Sequence, residues 1–101
     1  MAELTMRAVV PGHVLIRYLD GESVLLNLDS ERYFGLDATG TRIWELVTAQ
    51  PSIGLALEKL QEEYEVDPEV MRNHLTQLLS GLVENGLLRL LPADVGTTPT
   101  I

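Results

Sequence analysis

His13 and His74 are the only imidazoles in the chain, and no second ligand stands at metal-binding spacing from either. There is no cysteine, which removes thiolate nucleophiles, iron-sulfur clusters, thiolate zinc sites and disulfides together. No glycine-rich loop follows a strand and carries the lysine of a phosphate site. A lone histidine with no orienting partner reads as a polar contact or a partly buried group rather than a general base. The residue types therefore argue against an enzyme, and against a resident cofactor or metal. Carboxylates are plentiful but crowd into one stretch, where Glu58, Glu62, Glu63, Glu65, Asp67 and Glu69 surround Lys59. That cluster reads first as a solvated face that keeps the chain soluble, and second as a docking patch for a basic peptide or enzyme.

The background to these residues is a small, acidic chain. Its 101 residues make one domain, and 46% hydrophobic content is ample for one core. No apolar run approaches the ~20 residues that cross a bilayer, and Met1 to Val10 lacks the basic start and apolar centre of an export signal. The expectation is a soluble, cytoplasmic protein with no membrane partner. Seven basic and fifteen acidic residues leave a net charge of −8, which repels phosphate backbones and argues against nucleic acid as a partner.

The elements that must position any binding site follow from periodicity. His13–Leu19 and Ser23–Leu28 alternate apolar and polar residues, and Asp20-Gly21 between them suits a tight antiparallel hairpin. Asp29-Ser30-Glu31 then turns the chain into Arg32-Tyr33-Phe34-Gly35-Leu36, a third strand. From Asp37 or Thr39 the spacing becomes helical through about Ala49, with Ile43, Trp44 and Val47 on the apolar face and Trp44 read as core. Ser52 caps a second helix and Asp67-Pro68 opens a third, along which Met71, Leu75, Leu78 and Leu82 recur until Asn85-Gly86 closes it. Leu87 to Leu91 adds a short strand. The expected layout is an N-terminal segment at 1–12, a domain at 13–91 and a flexible tail at 92–101.

The stretch from Val24 to Trp44 carries the strongest functional signal. A strand, a turn, a strand and then a helix leave Arg32–Leu36 with no later long strand on its free side, and an open edge accepts another chain by strand addition.

Several short segments also carry a family likeness. Leu25-Leu26-Asn27-Leu28, Arg32-Tyr33-Phe34-Gly35-Leu36-Asp37, Gly40 to Trp44, and Leu78-Leu79 through Gly86-Leu87 resemble the PqqD-like peptide-recognition domain over about Val14 to Leu90. The Tyr-Phe-x-Leu, Gly-x-x-Ile-Trp and late Gly-Leu patterns are most similar to the discrete leader-binding proteins of lasso-peptide biosynthesis. The resemblance implies an α+β, winged helix-turn-helix-like fold: a three-stranded antiparallel sheet followed by three helices.

It further implies binding of the leader region of a ribosomally made precursor peptide, without catalysis, by a monomer. In that family the leader lies as an extra strand along the third strand and against the third helix. Carried over, the strand is Arg32, Tyr33, Phe34, Gly35 and Leu36, and the helix face includes Met71, His74, Leu75 and Leu78. The family often has an acidic residue near the position of His74, so a leader contact there is expected to differ. The implied partners are the precursor peptide and a maturation enzyme such as a leader peptidase. On physical grounds Phe34, Met71, Leu75 and Leu78 suit a pocket for ligand side chains, yet the same stripe suits the core, and both readings stand at this point.

Two other classes stay open. A winged-helix DNA-binding regulator would share the helix order, although its recognition helix would offer only Arg72, Asn73, His74 and Gln77 beside Glu69. A generic protein-protein adaptor would use the open strand for itself. The charge separates the first of these: in fluorescence anisotropy at physiological salt, duplex DNA titrated into the micromolar range should give no signal. A sequence-selective shift would overturn the exclusion of nucleic acid.

Overall fold

The turn at Asp20-Gly21 is built by two residues with φ of 52° and 83°, the paired left-handed geometry of a two-residue hairpin. It joins β2 (Val14–Leu19) to β3 (Glu22–Asn27), with Leu19 opposite Glu22 and Val14 opposite Asn27. A longer turn, with Glu31 at φ 59°, leads into β4 (Arg32–Leu36), which pairs antiparallel with β3 from Asn27 opposite Arg32 to Ser23 opposite Leu36. The computed structural model describes residues 2–92, and in it these strands form a sheet of order β2-β3-β4. The three strands and three helices expected from periodicity are all present, each strand within a residue of its expected limits.

Each helix begins on a side chain that satisfies an exposed backbone donor. Asp37, rather than Thr39, caps α1 (Ala38–Ala49) by accepting from the Gly40 N–H at 2.8 Å. Ser52 accepts from Leu55 N–H to open α2 (Ile53–Glu63), and Asp67 accepts from Glu69 N–H to open α3 (Pro68–Glu84), with Pro68 at the first helical position. Helix α3 ends in a Schellman turn. Gly86, at φ 70°, donates to Val83 O and Leu87 to Leu82 O, and Leu82 and Leu87 are both buried beneath it.

The helices cover one face of the sheet. Leu25, Ile43, Val47, Ile53, Leu60 and Leu82 are fully buried between them, and Trp44 belongs to the same core. Ser23 and Thr41 share a buried hydrogen bond of 2.8 Å, which ties the centre of the sheet to α1. The other face of the sheet stays bare, with Leu15 and Tyr33 well exposed.

One element does not follow from the periodicity. Met6–Val9 forms a strand, β1, that pairs antiparallel with β5 (Arg89–Pro92) in a separate two-stranded sheet, after a 3-10 turn at Ala2–Thr5. The segment at 1–12 thus supplies a strand, and the strand expected at Leu87–Leu91 begins two residues later, because Leu87 and Leu88 are spent on the core. Of the expected tail, Pro92 ends β5, and 93–101 lie outside the described residues.

The acidic stretch is partly structural. Arg42 on α1 forks onto Glu63 of α2, with Nε to Oε1 at 2.8 Å and Nη2 to Oε2 at 2.6 Å, and reaches Glu45 at 3.0 Å. The Arg42 hydrogen bond is the main cause that lowers the Glu63 carboxyl below its ordinary value of 4.5. Because the folded value is the lower one, this stabilisation is present above about pH 4.5 and is lost as pH falls through the folded value. Both side chains are more than a third exposed, so solvent screening keeps the effect small. Glu63→Gln should destabilise by less than about 1 kcal/mol at neutral pH. In urea titrations the gap to the wild type should close in acid; a gap that widens in acid would contradict the pairing.

Candidate functional site

The hairpin at Asp20-Gly21 fixes which backbone groups of the sheet remain available. In a two-residue hairpin the flanking pair, here Leu19 and Glu22, exchanges both hydrogen bonds, and bonded pairs then alternate along the ladder. Glu22, Val24 and Leu26 therefore bond to β2, a parity continued by Leu28 N–H donating to His13 O at 2.8 Å. Ser23, Leu25 and Asn27 bond to β4, through Leu36, Phe34 and Arg32. The N–H and C=O groups of Tyr33 and Gly35 consequently point to the open side of β4, where no strand pairs among the described residues.

Side chains alternate on the other axis. Leu36 is buried, Phe34 is half-buried against the core, and Arg32 is exposed at the strand's start, all on the face toward the helices. Tyr33, 75% exposed, and Gly35 lie on the bare face. A Cβ built on Gly35 would meet nothing within 4 Å, which leaves a notch in the open strand. A shallow concavity of about 300 Å³ adjoins it, lined by Leu19, Glu22, Val24, Leu36 and Asp37 among others.

Helix α3 forms the second wall. A Cβ placed on Gly81 would sit 3.7 Å from Cζ of Phe34, so the ring of the open strand packs onto the bare backbone of α3. Gly81, Leu78 and His74 fall at spacings of three and four, along one stripe of the helix. His74 is exposed and Leu78 half-buried on this stripe. Met71 and Leu75 are turned inward, 3% and 1% exposed, and are packed in the core. Phe34 thus joins β4 to α3 at Gly81, and the stripe that runs from this contact through Leu78 to His74 is the candidate groove, whereas Met71 and Leu75 belong to the core. Gly81 is a groove residue that the sequence patterns do not single out, although a small residue three after Leu78 in a helix is the signal for close approach.

The sheet has a second unpaired edge on β2, whose outward groups belong to Val14, Ile16 and Tyr18. The Val14 N–H is already satisfied by Pro11 O at 3.2 Å. It is β4 that packs an aromatic ring onto a helix alongside its free side.

Little chemistry converges elsewhere. No three potential metal ligands cluster among the described residues, and no helix there is long and apolar enough to cross a membrane. His13 lies 3.6 Å from Asp29 and 3.3 Å from the Gly86 carbonyl oxygen, a structural bridge with no hydroxyl nucleophile bonded to it.

An α+β, winged helix-turn-helix-like domain with one sheet edge laid open beside its third helix is the class these features define. The chain belongs to the PqqD family: residues 22–88 match the family of coenzyme PQQ synthesis protein D. No curated protein matches it. Among solved structures it is similar to TbiB1 in complex with the TbiA(beta) leader peptide, at 34% identity and TM-score 0.71, covering 79% of this chain and 93% of that one. It also shares its fold with a lasso peptide synthetase B1 complexed with the leader peptide, at 24% identity and TM-score 0.71, over 82% and 98% of the two chains. The likeness to the PqqD-like family expected from the short patterns is met.

The contact between Phe34 and Gly81 is testable by itself. A methyl at Gly81 would make an ordinary contact at 3.7 Å and remove the flexibility of a mid-helix glycine. Gly81→Ala should therefore stabilise by up to about 1 kcal/mol, raising Tm by roughly 4–8 °C in a calorimetric scan. A lowered Tm would show that the ring leaves no room for the methyl.

Proposed function

We propose that this chain is a non-catalytic recognition protein that holds the leader region of a ribosomally made precursor peptide. The leader adds to the sheet as a strand along β4, and the monomer presents it, in the cytoplasm, to a maturation enzyme such as a leader peptidase. The observation that carries this reading is the open edge at Tyr33 and Gly35, facing outward beside α3 in a PqqD-family chain. Two solved structures of the same fold, one 34% identical, are complexes with leader peptides, which supports the reading.

The energetics suit an adaptor. Two residues of β4 offer two donors and two acceptors, and each hydrogen bond contributes about 0.5–1.5 kcal/mol net. Micromolar binding requires about 8 kcal/mol, so backbone pairing must be joined by apolar anchors in the groove lined by Phe34 and Leu78. Backbone pairing tolerates many sequences, and the anchors confer selectivity.

Proline scanning tests the geometry directly. Tyr33→Pro and Gly35→Pro remove donors that face the peptide, and proline is tolerated on an edge whose N–H faces solvent. Both variants should stay folded by circular dichroism and bind the leader of the cognate precursor more weakly by about 1 kcal/mol or more in calorimetry. Phe34→Pro deletes a bond to Leu25 inside the sheet and should lower Tm instead. Folded Tyr33→Pro and Gly35→Pro variants that bind like the wild type would remove β4 as the site.

A further inference from the structure

Asn27 stands where the two walls of the groove come closest to being one piece. It is the last residue of β3, 6% exposed, and both the oxygen and the nitrogen of its amide are engaged. Oδ1 accepts from Asp29 N–H at 2.9 Å and Ser30 N–H at 3.2 Å, which shapes the turn that launches β4. Nδ2 donates to the Asn85 carbonyl oxygen at 2.9 Å, at the C-terminus of α3. Gly86 follows at φ 70°, and a Cβ there would lie 3.0 Å from Nδ2, so the helix end is shaped to admit this amide.

The opposite end of β4 is held differently. Leu36 is buried, and its carbonyl oxygen accepts from the Thr41 hydroxyl at 3.4 Å, which fastens that end to α1. Between the ends, the Phe34 ring rests against Gly81 of α3. The start of β4 is thus tied to α3 through the turn and the side chain of Asn27.

We propose that Asn27 is a positioning residue of the peptide groove: it touches no bound peptide, but sets the spacing of β4 from α3 by joining the β3-β4 turn to the C-terminus of α3. The inference rests on the leader-binding reading for its consequence, though not for its geometry. An amide is required because the site needs an acceptor for two N–H groups and a donor for one carbonyl. A carboxylate supplies only the first, and would set an oxygen against the Asn85 carbonyl. Released from α3, the Arg32 end of β4 swings while the Leu36 end stays fixed, so Tyr33 loses alignment with a peptide before Gly35 does.

The test uses Asn27→Asp with two readouts. In the free protein, the Gly81 Hα that takes the place of a Cβ lies against the Phe34 ring, and its ring-current shift reports the wall spacing by NMR. In calorimetry, the TbiA(beta) leader peptide serves as the probe. Asn27→Asp should move the Gly81 Hα resonances toward one another and weaken the probe by about five- to tenfold, the worth of one hydrogen bond. Gly86→Ala, which drives a methyl onto Nδ2, should give the same signature and serves if Asn27→Asp does not fold. Ile53→Val, in the core at the start of α2, should lower Tm yet leave both readouts unchanged, because mere loss of stability does not alter affinity while the protein stays folded.

Folded variants at Asn27 or Gly86 with wild-type Gly81 resonances and wild-type affinity overturn the proposal. A moved Gly81 signal with unchanged probe affinity also overturns it, since spacing would then not govern binding. A wild type that does not bind the probe or its own leader at about 100 μM, far above a micromolar Kd, overturns the leader-binding reading; the Gly81 shift in Asn27→Asp still decides, independently of any peptide, whether Asn27 sets the spacing.

Discussion

The parity of hydrogen bonds in a three-stranded sheet is set by one turn. With two residues at Asp20-Gly21, Leu19 and Glu22 must exchange bonds, and every later pair inherits its role. The same parity turns the side chains of Phe34 and Leu36 toward the helices while the backbone groups of Tyr33 and Gly35 face the open edge. Backbone pairing and side-chain packing on β4 are therefore shared between alternate residues, and neither role interferes with the other. A one-residue slip would bury Tyr33 and expose Phe34, abolishing the core face and the groove together.

Much of this was legible in residue order. Asp20-Gly21, Asp37, Ser52, Asp67-Pro68 and Asn85-Gly86 each announce a turn or cap through local chemistry, and local chemistry survives in the folded chain. The strand at Met6–Val9 was not legible, because its partner is some eighty residues away and all four of its residues are half-buried, so no alternation marks a face. The width of the α3 stripe was also undecided by spacing. Met71 and Leu75 point to the core, and Leu78 sits on its rim, a division set by where α2 and β4 lie rather than by the helix itself.

Charge is distributed to keep these roles apart. Arg42 draws Glu63 and Glu45 into a bridge between α1 and α2, and Asp67 is spent on the start of α3, so part of the acidic stretch serves the fold. What stays in water is acidic on balance, and discourages association with phosphate and with a second copy of the same chain.

The pairing of β1 with β5 sets Met6 directly opposite Pro92, so the first and last strands of the described fold lie side by side in a sheet that β4 does not share. A connection made through β1 or β5 takes up no backbone group of β4, so Tyr33 and Gly35 keep their outward N–H and C=O groups. The open edge of β4 is thereby independent of the sheet that carries the first and last strands.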